Sequence, residues 1–166
     1  MRLFIAIQLN DEMRNALIHT QKIMQRQGVR GNYSRPENLH LTAAFIGEYS
    51  DPDAVLDVLD QIPFKPFRIR LDGMGSFRGI WWAGIGESPE LKSLVRQIRR
   101  GLAEAGIPFD RKKFSPHITL VRKPVSRDGS MPEAVLEHPP AGEMTVEHIS
   151  LMRSDRGKNG MIYTEL

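Results

Sequence analysis

An α+β fold of two similar lobes, related by a pseudo-twofold axis, follows from three features of the sequence. Two short extended segments share one pattern, His40-Leu41-Thr42 and His117-Ile118-Thr119, at an offset of about 77 residues. The same shift starts the run Leu3-Phe4-Ile5-Ala6-Ile7 at Ile80 of the run Ile80-Trp81-Trp82-Ala83-Gly84-Ile85, and lays Leu17-Ile18 on Leu94-Val95. Further on, Ala54-Val55-Leu56 resembles Ala134-Val135-Leu136 and Phe67 to Leu71 resembles Thr145 to Ile149, with the offset drifting by one to three. Each half therefore holds a β-α-β-containing unit. Two copies at so long a period make an internal duplication rather than a solenoid.

The elements follow in order. Residues 2–9 alternate, with Leu3, Ile5, Ile7 and Leu9 on one face and Phe4, Ala6 and Gln8 on the other, which predicts a strand. A helix is predicted from Asp11 to Gln27. Asn10 or Asp11 caps it, Met13, Ala16, Leu17 and Met24 line one face, and Gly28 stops it. Gly28 to Asn38 reads as a loop, because Gly31, Asn32, Ser34 and Pro36 are turn formers. The first motif strand runs to Gly47, a second helix spans Asp53 to Gln61 before Pro63, and Phe67 to Leu71 is a strand. In the second half Ile80 to Ile85 is a strand. Ser88-Pro89 starts a helix, since proline suits the first helical position. Leu91, Leu94, Val95, Ile98 and Leu102 form its apolar stripe and Gly106 ends it. The second motif strand spans Pro116 to Arg122. A loop-rich stretch from Pro124 to Pro140 holds a short helix near Glu133–Glu137, and strands at Thr145–Met152 and Met161–Leu166 close the chain. No linker divides residues 1–166, which read as one domain.

Composition bounds the function. No apolar run approaches the length that a membrane span needs. The apolar start ends at Asn10-Asp11-Glu12 with no small-residue cleavage site, so no signal peptide is expected and the cytoplasm is the expected compartment. Zero cysteines exclude disulfides, thiolate metal sites and a cysteine nucleophile. The formal charge is +3, and 16 arginines outnumber 7 lysines, a bias that suits bidentate contact with phosphate. Arg111, Lys112 and Lys113 precede the second motif and Arg122 and Lys123 follow it. A solvated rim and a phosphate-attracting surface are both consistent with that cluster.

The two motifs carry the chemistry. In a strand, alternate side chains share a face, so each segment presents an imidazole and a hydroxyl on one side, about 7 Å apart. His40, Thr42 and Ala44 share one face, while Leu39, Leu41, Ala43 and Phe45 share the other. One covered apolar face and one open polar face is the antiparallel pattern. If two open faces meet, the histidines line a cleft, one as acid and one as base across a bound phosphate. Imidazole titrates near working pH, and the threonine hydroxyls can donate to the non-bridging oxygens. A single His-x-Thr means little, and a lone strand histidine is ordinarily structural. Repetition at equivalent places is what singles these out. His19, His138 and His148 read as structural or exposed.

No helix carries a His-x-x-x-His pair and no carboxylates cluster near either motif, so neither metal nor other cofactor is expected. The acids Asp51, Asp53, Asp57 and Asp60 read as a solvated face. Gly73-Met74-Gly75 lacks the rest of a dinucleotide-binding fingerprint. Alternation puts Phe4 and its repeat mate Trp81 on the face opposite Leu3, Ile5, Ile80 and Trp82. There they either stack on a nucleobase or pack in the seam between lobes; Trp82 is assigned to the core.

The segments Asn38 to Thr42 with Phe45-Ile46-Gly47-Glu48, Pro116 to Arg122, and Arg2 to Ile7 resemble the two-histidine (2H) phosphoesterase superfamily. They look most like its RNA 2′,3′-cyclic phosphodiesterases, historically called 2′-5′ RNA ligases. The resemblance covers nearly the whole chain. It implies two antiparallel sheets flanked by helices around a central cleft. It also implies metal-independent hydrolysis of a terminal 2′,3′-cyclic phosphate to a 2′-phosphomonoester. By that analogy His40 is the proton donor to the departing 3′-oxygen and His117 the proton acceptor. Thr42, Thr119 and Arg122 hold the phosphate. Strict alternation, however, places Arg122 on the face away from His117, so it reaches the phosphate only if the strand ends or twists. The implied partners are RNA ends or nucleotides bearing a cyclic phosphate, bound by a monomer away from membranes. Two other readings stand beside this hydrolase: a 2′-5′ ligase running related chemistry in the same site, and a non-catalytic RNA-end binding module.

Overall fold

The computed structural model describes residues 1–77 and 79–166. In chain order the elements are β1 (Arg2–Gln8), α1 (Asp11–Arg26), β2 (Arg30–Tyr33), β3 (His40–Glu48), α2 (Pro52–Asp60), β4 (Phe67–Phe77), β5 (Ile80–Ile85), α3 (Pro89–Glu104), β6 (His117–Val125), α4 (Glu133–Glu137), β7 (Glu143–Val146), β8 (Ser150–Gly157) and β9 (Gly160–Glu165). The strands form two antiparallel sheets, one in the order β3-β1-β8-β9 and one in the order β2-β6-β5-β4-β7. No helix among the described residues is long and apolar enough to cross a membrane.

The helix signals hold at the level of single bonds. Asn10 caps α1 by accepting from the Met13 amide at 2.9 Å, and Ser88 caps α3 by accepting from the Leu91 amide at 3.2 Å. Gly28 and Gly106 follow the two helices at φ of +85° and +72°, the left-handed conformation that glycine adopts without a Cβ clash. The apolar stripes Met13, Leu17 and Met24 of α1, and Leu91, Leu94, Val95, Ile98 and Leu102 of α3, are fully buried. They share one core with Ile5, Ile7, Leu41, Ile118 and Leu120, each such side chain contributing about 1.5–3 kcal/mol by its burial. α1 packs on β6, β7 and α4, whereas α2 and α3 pack on each other and on β8 and β3.

Three element readings are corrected. The segment read as a loop after Gly28 contains β2, an edge strand on β6; Arg30, Gly31, Asn32 and Tyr33 show no apolar alternation because neither face of this edge needs to be apolar. β4 runs on to Phe77 rather than ending at Leu71, through an irregularity between Leu71 and Met74. Thr145–Met152 is not one strand: β7 ends at Val146 and β8 begins at Ser150. The short segment between them carries the chain from one sheet to the other.

Bulges decide which side chains face the cleft. In the β1–β3 ladder Ile5 pairs with Ala44 but Ala6 pairs with Thr42, so Ala43 is an extra residue. In the β5–β6 ladder Trp81 pairs with Val121 but Trp82 pairs with Thr119, so Leu120 is extra. Ala43 and Leu120 are themselves equivalent under the repeat, each directly following the threonine of its motif. Each extra residue shifts the two-residue alternation by one. Phe45 is therefore not on the apolar face: it is 49% exposed and its ring stands 6.4 Å from that of Phe4. Arg122, at the equivalent place of the second ladder, is turned to the same face as His117 and Thr119. Lys123 follows it at φ +51°, a conformation that costs a non-glycine residue about 1–2 kcal/mol.

The same ladders correct the tryptophans. Phe4 pairs with Phe45, and Ile80 pairs with Arg122, so the mate of Phe4 is Ile80 and the mate of Ala6 is Trp82. The gap-free shift is one position out in this strand, and a slip of one exchanges the faces. Trp81 does not face the cleft. It is 7% exposed within the main core. Trp81→Ala is expected to cost about 3–5 kcal/mol of stability, read by denaturant unfolding.

Candidate active site

Both motif histidines open their strands, and both are fixed in the same way. His40 Nδ1 lies 2.7 Å from the carbonyl oxygen of Asn38, and His117 Nδ1 lies 2.7 Å from that of Ser115. A carbonyl only accepts, so each Nδ1 carries the hydrogen and each Nε2 holds the lone pair or the second proton. Nε2 of His40 meets the Thr42 hydroxyl at 2.8 Å. The motif spacing therefore does what alternation promised, with imidazole and hydroxyl of one segment on one side of the strand.

The two sheets come together along β3 and β6, where the Asp110 amide donates to the Phe45 carbonyl at 2.8 Å. Arg122, and His117 whenever it carries a second proton, are close enough for positive charge to act on His40. The His40 imidazole titrates below its ordinary range, chiefly because burial disfavours the cation. The Asn38 carbonyl opposes that shift, and Arg122 and His117 add to it. Arg122, doubtful by strict alternation, is thus brought to the histidines by the bulge.

Aromatic rings wall each imidazole. Around His40, the Phe4 ring lies 5.0 Å away and the Tyr163 ring 5.3 Å away, edge-on. Phe4 is only 5% exposed and packs with Ala6, Met152 and Tyr163 of its own sheet, so it offers no free face to a base, and these contacts lie within one lobe rather than in a seam between two. Around His117, the Phe77 ring lies 5.0 Å away and the Trp82 ring 6.0 Å away. Gly75 makes room for that indole: a Cβ there would stand 2.2 Å from Trp82 Cη2. Tyr163, Phe77 and Trp82 are site residues that the sequence reading missed. Trp82 was legible only through the correct strand register. Tyr163 and Phe77 lie on strands whose neighbours no local pattern reveals.

Beside His40, the paired strands line up a short polar chain. Gln8 is the pairing partner of His40; its amide donates to Ser150 Oγ at 2.9 Å, and Ser150 donates to Glu165 at 2.6 Å. No group of three or more His, Cys, Asp or Glu side chains suited to a metal occurs among the described residues.

A paired acid/base set with two hydroxyls and a guanidinium can serve a phosphate ester on any scaffold, so sequence and structural kinship decide the family. A family model described as the 2′-5′ RNA ligase superfamily matches residues 11–158. The chain belongs to that superfamily. Among curated members, the RNA 2′,3′-cyclic phosphodiesterase of Archaeoglobus fulgidus is 30% identical over 100% of this chain and 98% of its own length. That of Thermus thermophilus is 34% identical over 100% of this chain and 88% of its own length. Among solved structures, Escherichia coli LigT complexed with 3′-AMP is similar with a TM-score of 0.81 and 29% identity, covering 99% of this chain and 94% of LigT. The superfamily likeness thus spans both sheets and both motif strands, rather than one motif or one half.

Proposed function

We propose that the protein is a hydrolase that opens the 2′,3′-cyclic phosphate at an RNA end, or on a nucleotide, to a 2′-phosphomonoester without a metal ion. The observation that carries this is the matched pair of imidazoles. Each has Nδ1 held by the carbonyl two positions before it, and each leaves Nε2 for proton transfer on the cleft face. Full-length kinship to proteins named for that reaction supports the substrate.

In the proposed step a water oxygen bonds to phosphorus while the bond from phosphorus to O3′ breaks. His117 Nε2 takes the proton of the water, and His40 Nε2–H gives a proton to O3′ as it leaves. Thr42, Thr119 and Arg122 donate to the non-bridging oxygens, whose charge grows in the transition state. Burial and the neighbouring Arg122 guanidinium make the His40 imidazolium a stronger acid, which favours protonation of a departing alkoxide.

The test is an oligoribonucleotide ending in a 2′,3′-cyclic phosphate, incubated with the protein and EDTA. A 2′-phosphomonoester product is expected at an undiminished rate. Loss on chelation that one added metal restores would replace the mechanism with a metal-assisted one, a longer oligomer would mean ligation, and no change would mean binding alone. The pH profile of kcat/KM is expected to be bell-shaped. The limb set by the acid falls as pH rises through the pKa of His40. Arg122→Gln removes a cation that lowers that pKa, so this limb moves to higher pH in the variant.

A further inference from the structure

Outside the cleft, Arg99, Arg100, Ala103, Phe109 and Arg111 line an open concavity of about 310 Å³ between the C-terminal half of α3 and the loop leading to β6. Two of the three arginines, Arg99 and Arg111, are held in place. One terminal amino group of Arg99 donates to the Lys112 carbonyl at 2.7 Å, tying the loop to the helix. Its Nε–H is enclosed with no partner among the described residues. The Arg111 guanidinium carbon sits 4.5 Å over the Phe109 ring, a contact that holds the cation in place. None of the three enters an ion pair among the described residues. Of the acids on these elements, Asp110 is bonded to the Lys112 amide at 2.9 Å, and Glu104 lies at the end of α3.

The loop that carries Arg111 links this surface to the cleft. The loop after Asp110 runs directly into Ser115 and His117, and the Asp110 amide is bonded to the Phe45 carbonyl. Phe45 is half exposed on the cleft face of β3. The chain from Arg111 to His117 spans at most ~20 Å. Guanidinium forks that enter no ion pair fit phosphate. An exposed aromatic between two phosphate sites fits the single-stranded mode, in which a basic groove tracks the backbone and rings take bases.

From this we infer that the concavity binds the phosphodiester backbone of the substrate a few nucleotides upstream of its cyclic end, so that the RNA leaves the cleft over Phe45 toward Arg111, Arg99 and Arg100. The inference rests on the proposed function and names the substrate class more narrowly: single-stranded RNA ends in preference to cyclic nucleotides.

The experiment compares a nucleoside 2′,3′-cyclic phosphate with single-stranded oligoribonucleotides of two to eight nucleotides that end in the same group. In the wild-type protein kcat/KM is expected to rise about tenfold with length and then level off. Three phosphate contacts make the logarithmic salt slope of the octamer steeper by about 2 than that of the mononucleotide. R99Q/R100Q/R111Q should abolish both effects while leaving mononucleotide hydrolysis within about twofold. R100Q/R111Q, which spares the Arg99–Lys112 bond, should abolish most of both. Absence of a length effect in the wild-type protein, or equal losses on mononucleotide and octamer in both variants, overturns the inference. Failure of the wild-type protein to hydrolyse even the mononucleotide overturns the reading of the cleft instead. The groove is then judged by anisotropy of a labelled octamer ending in a 3′-phosphate: binding weakened at least fivefold by R100Q/R111Q upholds it, and unchanged binding rejects it.

Discussion

His40→Ala and His117→Ala each lower kcat by about 10²–10⁴-fold, the usual contribution of a positioned acid or base, while the protein remains folded. Neither imidazole belongs to the core shared by the helices and sheets, so removing it leaves the packing of Leu41 and Ile118 intact. His40 loses contacts with Phe4 and Tyr163, and His117 with Phe77 and Trp82; these side contacts make a modest drop in Tm compatible with the expectation. Because the acid and base act in one step, the double variant falls little below the worse single one. Near-normal hydrolysis by either folded single variant would sink the two-histidine mechanism. Steady-state kinetics with circular dichroism on the same samples makes the check.

Thr119→Val and Thr42→Val come next in size, at about 10²–10³-fold in kcat, the loss that follows removal of one donor to a developing oxyanion. Valine keeps the branched shape at Cβ, so each change removes a hydroxyl and little else. The two variants differ in a second readout. The Thr42 hydroxyl lies 2.8 Å from His40 Nε2, so its removal also frees the nitrogen that passes the proton and shifts the pH profile. Thr119 makes no such bond to His117 among the described residues, and its variant keeps the wild-type profile at a lower level. A wild-type kcat in Thr119→Val would remove that hydroxyl from the phosphate site.

The pairing of imidazole and hydroxyl is legible in the sequence, because it sits in two short His-x-Thr patterns and because histidine and threonine at alternate positions need only an extended chain to share a face. Helix limits were legible for an equally local reason, the caps Asn10 and Ser88 and the stops Gly28 and Gly106. What escaped the sequence depends on single inserted residues. A period of two assumes an unbroken ladder, and nothing in Ala43-Ala44 or Leu120-Val121 marks where the ladder takes an extra residue. Every position beyond the bulge is then assigned to the wrong face, as Phe45 and Arg122 were. The exchange of Trp81 and Trp82 has the same origin, since two adjacent indoles differ only in register. Tyr163 and Phe77 reach the histidines through strand partners distant in sequence, which periodicity cannot see.

The strands of the two sheets are drawn from both halves of the chain. β1 and β3 wait for β8 and β9, β5 and β6 take in β2 and β4 from the other half, and the short segment between Val146 and Ser150 passes from one sheet to the next. Severing the polypeptide near its midpoint would leave neither fragment with a complete sheet, and long-range pairings of this kind make folding slow and all-or-none. On the ribosome the order is lopsided. β1 emerges before every other described strand, yet β9, at the far edge of its sheet, spans Gly160–Glu165, so the sheet holding His40 is the first begun and stays incomplete until all five strands of the other sheet have been made.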